Sequence, residues 1–257
     1  MTSTLKNNIK SLLLILSALF FTSPPAYSAE TSDWHFRIAP YLWAINMNGT
    51  TQLGTRRVHI DESFSDILKD LDYAGMLWLE ADKGNVGIFL NALYSVLSDS
   101  AQDGILSLNA KAHFGLISGG ISYLIYQRNG FAFTPYAGFR YTLNDNKLTA
   151  SIPSLQITLK DNQHWIDPLI GARLLYQFNA PWSFTLAGDI GGTNTSTDFS
   201  YNWLALLGYH PQTRLKCATF YAGYRLLGQN YQRGTGASTY VWKVKIAGPI
   251  LGVAFDV

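Results

Sequence analysis

Cysteine is nearly absent. Cys217 is the only one in 257 residues, so no intrachain disulfide can brace the fold. Charge is scarce as well. Asp, Glu, Lys and Arg make up 14% of the chain, against about 25% in soluble domains, which is too little to cover a water-facing surface. Nor is one sign in excess. The two basic residues of the first 29, Lys6 and Lys10, leave 19 − 2 = 17 basic side chains beyond them, against 17 acidic ones. A balanced chain has no basic surplus to hold nucleic acid. Long hydrophobic runs are missing too. The longest, 11–21 (SLLLILSALFF), is short of the roughly 20 residues that a spanning helix needs, and nothing after it is longer.

What is present is apolar and aromatic: 47% hydrophobic residues and 14% Phe, Trp and Tyr, including 7 Trp and 15 Tyr. Residues 1–29 have the three parts of a secretory signal peptide. Lys6 and Lys10 precede the apolar run, and small residues around Ala26–Ala29 offer cleavage after Ser28 or Ala29. No cysteine stands there to take a lipid anchor. The mature domain is 30–257. An export signal, an apolar composition and no spanning helix point to a closed barrel, which hides apolar residues by alternation instead of in runs.

Alternation at period two recurs along the chain. From Trp34 to Trp43, Trp34, Phe36, Ile38 and Leu42 share one face; His35, Arg37, Ala39 and Tyr41 share the other. Between 72 and 82, Tyr73, Leu77, Leu79 and Ala81 oppose Met76, Trp78, Glu80 and Asp82. Val86 to Val96 shows a clean apolar face. The stretch 105–127 alternates least well, and a bulge or kink is expected at Gly119-Gly120. Further strands lie within 131–141, 166–176, 182–190, 201–209, 220–226 and 251–257. Short turns at 83–85, 128–130, 179–181 and 210–212 alternate with longer segments at 44–71, 98–104, 144–163, 191–198 and 228–236. This is the parity of short periplasmic turns and longer extracellular loops. The fold class predicted is all-β: a transmembrane antiparallel up-and-down barrel of about ten strands, both termini periplasmic, with 50–60 and 146–160 as hairpin extensions above the membrane.

The first long segment carries a short helix. Ser63-Phe-Ser-Asp66 resembles a capping box, and Phe64, Ile67, Leu68 and Leu71 form one apolar stripe. Two turns do not hold alone in water, so the helix docks on or into the barrel mouth. Trp34, Trp43, Trp165, Trp182 and Tyr209, at strand ends, are girdle candidates at the membrane interface. The pentapeptides 136–140 (YAGFR) and 221–225 (YAGYR) nearly repeat, which shared barrel geometry explains: Gly makes room and Arg fills the lumen.

Parity sends Arg37, Arg140, Arg173 and Arg225 inward, together with Glu80, Asp82, Asp167 and Asp189. Charges away from water need partners, so an ion-pair network filling the lumen is expected. A narrow polar path for solutes is the other reading. Catalytic pairs to weigh are His59 with Asp61, and His164 with Asp161 or Asp167. Neither comes with a nucleophile motif such as G-x-S-x-G or a third orienting group. His35 and His113 read as lumen or rim residues, and no Cys/His cluster suggests a metal. No catalytic residue, cofactor or metal site is assigned.

Five stretches arrive in order: 39–43 (APYLW), 63–68 (SFSDIL), 167–173 (DPLIGAR), 221–225 (YAGYR) and 248–255 (GPILGVAF). Together they resemble a large family of uncharacterised proteobacterial outer-membrane β-barrel proteins, over nearly the whole mature chain. The resemblance implies fold and location, with outer-membrane lipid, lipopolysaccharide and the barrel-assembly machinery as partners, and no activity. Such barrels usually end in Phe or Trp; here Val257 is last and Phe255 stands two before it. The expected role is non-enzymatic: envelope structure, surface binding or restricted solute passage. The alternatives are a barrel enzyme acting on lipid A or peptides, and a carrier of small hydrophobic molecules that enter past the helix.

Overall fold

In the computed structural model the described residues are 33–179, 181–192, 197–212 and 217–257. The expected signal peptide lies outside them, as do parts of the 179–181 turn and of the 191–198 segment. The strands are β1 (His35–Trp43), β2 (Asn46–Leu53), β3 (Arg56–Glu62), β4 (Leu71–Lys83), β5 (Val86–Asp103), β6 (Leu106–Tyr123) and β7 (Tyr126–Arg128). They continue as β8 (Phe131–Ile152), β9 (Leu155–Asn179), β10 (Trp182–Gly191), β11 (Thr197–Tyr209), β12 (Ala218–Arg233) and β13 (Tyr240–Asp256). One helix, α1 (Phe64–Asp70), precedes β4.

These strands form ten staves of one closed antiparallel barrel. β1 and β2 make the first stave, β3 and β4 the second, and β6 and β7 the fourth. Closure is the pairing of β1 and β2 with β13, from Arg37↔Asp256 to Leu53↔Tyr240. Closure leaves no edge open to another chain. The terminal end of the barrel holds tight turns. Asn129 (φ 51°) and Gly130 (φ 78°) join β7 to β8 in the left-handed pair that a two-residue hairpin favours.

Outward residues make an apolar band. Ile38, Tyr73, Ile88, Ile121, Phe139, Ile166, Phe184, Trp203, Tyr224 and Leu251, one from each of the ten staves, are all exposed. A soluble monomer does not carry so large an apolar surface. Trp34, Trp182 and Tyr209 are exposed at the terminal end, where a girdle belongs. Trp43 and Trp165 are not girdle residues. They are 3% and 4% exposed and pack inside the barrel.

Two further expectations are corrected. No bulge interrupts Gly119-Gly120: β6 pairs with β5 and β8 without a register shift. Gly120 instead faces Gly138 across the ladder, and a Cβ on either would overlap the other strand's backbone. The glycines allow a close approach between two unbroken strands. The segments 98–104, 144–163 and 228–236 are largely strand, not loop, so β8 and β9 reach 22 and 25 residues. The expected hairpin extensions are present as β2–β3 and as the tip of β8–β9.

α1 follows the capping logic of its sequence. Ser63 Oγ accepts from the Asp66 amide at 3.3 Å and donates to the Asp66 carboxylate at 2.5 Å. That bond, with Lys69 Nζ donating at 2.9 Å, holds the Asp66 carboxyl below its usual range. The helix sits where the wall is unpaired. β1 last pairs with β4 at Pro40↔Leu77, and β2 first pairs with β3 at Met47↔Glu62. Side chains bridge this seam: the Phe64 amide donates to Asn46 Oδ1 at 2.9 Å and the Trp43 amide to Met76 Sδ at 3.2 Å. Ile67 packs on the interior cluster, while Phe64 and Leu68 stay exposed, so the stripe is only partly used.

Candidate functional site: the filled lumen

Small barrels fill their interiors with the inward half of each strand, and here the filling has three levels. The first lies nearest the chain termini. Glu80 on β4 is buried (4% exposed) and stands across the ladder from Arg37 on β1. Arg37 reaches it at 3.8 Å and donates to Asp256 on β13 at 2.7 Å. Arg173, on β9, crosses the lumen to Glu80 with both terminal nitrogens, Nη1 at 3.0 Å and Nη2 closer. Trp78 Nε1 is 3.4 Å from the same carboxylate. Bidentate guanidinium–carboxylate pairing fixes both position and angle. Asp82 lies on the same face, half-buried, two residues from Glu80.

The second level is centred on Asp189 of β10. Arg140 on β8, 1% exposed, donates to it at 2.5 Å, Asn202 Nδ2 at 2.9 Å and the Tyr136 hydroxyl at 3.2 Å. Asp167 is fully buried and in register with Arg140 across the β8–β9 ladder. Arg225 departs from expectation. It meets no carboxylate within 4 Å among the described residues. Its Nε donates to Asn202 Oδ1 at 2.9 Å, its Nη1 to Tyr41 and to Asn91 at 3.3 Å each, and its guanidinium lies 4.7 Å from the Trp43 ring centre. Amides and an aromatic face replace the expected acid.

The third level is apolar. Trp165 stacks on Tyr231 at 4.3 Å and 9°, and Trp242 packs against Trp165 and Phe114. Leu93, Leu116, Leu227 and Ile246 close the gaps at 0–1% exposure. Gln229 donates to Thr142 across this level at 2.8 Å, and Asn144 to the Tyr240 hydroxyl at 3.0 Å. This interior aromatic core was not anticipated, although parity had placed Tyr41 and Asp167 inward and so their neighbours two residues away, Trp43 and Trp165.

The repeated pentapeptide does the same work twice. Gly138 and Gly223 each lie where a Cβ would overlap the backbone of the preceding stave. Two residues on, Arg140 and Arg225 enter the lumen.

The candidate histidines fall elsewhere. His164 pairs with Asp145 at 2.8 Å on the outer face, with neither Asp161 nor Asp167. Asp161 accepts from Gln163, and Asp167 faces the lumen. His59 and Asp61 share one face of exposed β3, where Asp61 accepts from Asn48 Nδ2 at 3.2 Å. His113 Nδ1 shares a 2.7 Å hydrogen bond with the Tyr94 hydroxyl, also outside. His35 is exposed at the terminal end. Among the described residues no three His, Cys, Asp or Glu side chains gather as a metal site.

No family model matches the sequence, and no curated protein matches it. Solved structures do. The chain is similar to the outer membrane protease OmpT from Escherichia coli, with a TM-score of 0.53 at 7% identity, covering 88% of this chain and 98% of that one. It also matches the translocator domain of the autotransporter NalP from Neisseria meningitidis (TM-score 0.35, 12% identity, 96% and 97% covered). A third match is Ail, the attachment invasion locus protein of Yersinia pestis (TM-score 0.31, 7% identity, 88% and 100% covered). At these identities the likeness is one of fold: the chain has the architecture of outer-membrane β-barrels.

Proposed function

We propose that this chain is a Gram-negative outer-membrane protein, with its termini in the periplasm, whose barrel is closed to solutes and acts through its walls and outer surface. It is an envelope-structural or surface-binding barrel and not a pore. The observation that carries this reading is the continuous filling of the lumen: a cross-lumen ion pair, a buried Arg140–Asp189 centre and an aromatic core at successive heights. Each level has contacts between staves that are not neighbours: Arg173 of β9 with Glu80 of β4, Arg225 of β12 with Tyr41 of β1 and Asn91 of β5, and Trp165 of β9 with Tyr231 of β12. Single-channel recording on the refolded protein tests it. Silence in a planar bilayer is the expected result, and a steady, reproducible conductance refutes it.

A second reading is favoured by one observation. The unpaired seam beside α1 is a place where the wall could open without breaking ladder bonds. A carrier of small hydrophobic molecules would use it, and Ile67→Asp would then slow uptake of such solutes in cells holding equal amounts of folded protein. Equal uptake removes this reading. The enzymatic alternative rests on His164 and Asp145 alone. It requires that His164→Ala change the lipid A or surface-peptide profile of the cell.

A further inference from the structure

Closure removes edges only as far up as neighbouring strands run together. β10 holds 10 residues, Trp182–Gly191, about what one crossing of an outer membrane takes. β9 does not stop there. Its ladder with β10 begins at Leu169↔Gly191. Beyond it 13 residues, 155–167, run on with β8 on one side and, among the described residues, no strand on the other.

Two bonds fix which way the backbone of this edge points. The Gln177 amide donates to the Gly130 carbonyl, on the β8 side, at 2.7 Å; the Gly192 amide donates to the Pro168 carbonyl, on the β10 side, at 3.2 Å. An antiparallel ladder alternates, so odd-numbered residues of β9 bond to β8 and even-numbered ones turn the other way. Gln156, Thr158, Lys160, Asn162, His164 and Ile166 therefore present six N–H donors and six C=O acceptors to a side without a partner strand. The chain's own connection there is too short to pair along it: 193–196 join β10 to β11, four residues against thirteen.

The edge is two-faced. Leu148↔Leu159, Ala150↔Ile157 and Ile152↔Leu155 pair in successive rows, and Ala110 and Leu108 extend the first two onto β6. This is the lumen-facing side of the wall carried above the core. Leu155, Ile157 and Leu159 are 52–64% exposed on it. The other face is polar: Ser151↔Gln156, Thr149↔Thr158 and Lys147↔Lys160, with Lys111 beside Lys147. Like charges directly opposite repel, so an acid on the free side of Lys160 relieves it. The free edge of β5 beyond Leu97 is shorter, 98–103, and carries Asp99 and Asp103, charges of the kind that blunt an edge. A second copy does not fit the β9 edge. Two copies upright in one membrane are related by an axis along its normal, which sets the apolar face of one β9 beside the polar face of the other.

We propose that the free edge of β9 is a β-augmentation site, which takes an extended segment of a partner protein as an added strand beside 155–167. The segment alternates apolar and polar residues and sets an acidic side chain beside Lys160. Main-chain bonds give such a site its affinity, and alternate side chains its specificity. The inference deepens the surface-binding reading above, and rests on it for placing the edge outside the membrane.

The test uses the full chain refolded in detergent. The probe is a fluorescein-labelled 11-residue peptide of alternating Val and Thr with one Thr replaced by Glu, and binding is read by fluorescence anisotropy. T158P/N162P removes two amides of the free edge and no bond of the β8–β9 ladder, since Pro is tolerated where a strand's N–H faces solvent. Wild type should bind the peptide, and the Pro variant at least tenfold more weakly. K160E should prefer a peptide with Lys in place of Glu. The peptide N-methylated throughout, or scrambled at the same composition, should bind wild type at least tenfold more weakly. Equal binding by the Pro variant or of either altered peptide overturns the site, and so does a wild type that does not bind. Self-association of wild type that the Pro variant loses gives the edge to a second copy and overturns the partner. Heat-modifiable gel migration shows that each variant is folded. Conductance is scored separately: a conducting chain that binds the peptide refutes the closed lumen and leaves this inference standing.

Discussion

Asp189→Ala is the most informative perturbation of the lumen. The side chain accepts three hydrogen bonds, from Arg140, Asn202 and Tyr136, at 2.5, 2.9 and 3.2 Å. Its removal strands the Arg140 guanidinium, 1% exposed, without its salt-bridge acceptor. Breaking one side of a buried ion pair costs about 3–5 kcal/mol, and the two orphaned neutral donors keep the loss in the upper part of that range. Urea unfolding in vesicles, followed by tryptophan fluorescence, reads it. With a slope of about 2 kcal/mol/M, a loss near 4 kcal/mol moves the midpoint down by about 2 M. Asp189→Asn keeps an acceptor for Asn202 and should lose about half as much. The deficit should be unchanged between low and high salt, because a buried pair is poorly screened. A loss below about 1 kcal/mol, or one that disappears in salt, would mean that water fills the lumen around Asp189. The filled-barrel argument would then fail.

The two kinds of tryptophan should separate cleanly: Trp165→Ala, inside, should cost about 3–5 kcal/mol of unfolding free energy, and Trp182→Ala, on the girdle, clearly less. Ser63→Ala should loosen α1 by about 1 kcal/mol, seen as faster proteolysis between Glu62 and Leu71 with the barrel's gel migration unchanged. The Asp66 pKa is depressed in the folded state, so its contribution is present above the unfolded value of about 3.9. It is lost as pH falls through the folded one; α1 protection should be flat from pH 5 to 7 and decline below about 4. Gly138→Ala should slow or abolish folding, measured as the fraction of heat-modifiable protein, because its Cβ has only the Gly119 and Gly120 backbone to occupy.

Parity was legible wherever one strand face meets lipid and the other the lumen, which is why Arg37, Glu80, Arg140, Asp167, Arg173 and Asp189 were placed inside from alternation alone. Height was not legible. Period two says which way a side chain points but not which stave it meets across the bore, so the partner of Glu80 on β9 and the amide and aromatic partners of Arg225 needed the structure. Trp43 and Trp165 show the hazard of a residue-type rule. Both obey inward parity, and the habit of placing Trp at girdles pulled them outward. The tip of β5 reads as a connecting segment because both of its faces meet water, and a strand wet on both sides has no hydrophobic period; 146–160 still reads as strand-like, and it is the tip of β8–β9. The seam at α1 was legible only from its helix side, through the capping pattern at Ser63–Asp66.

The Glu80–Arg173 pair joins residues 93 positions apart, and Arg225 reaches back 184 positions to Tyr41. Neither contact exists in an open sheet. Until β13 meets β1, the carboxylates and guanidiniums that fill the bore are unpaired groups on a flexible ribbon, and water is their best solvent. A half-closed barrel is therefore an unfavourable thing to leave in a bilayer. The chain gains little from threading stave by stave into lipid and much from closing and inserting in one step, so the charges inside the bore favour concerted assembly.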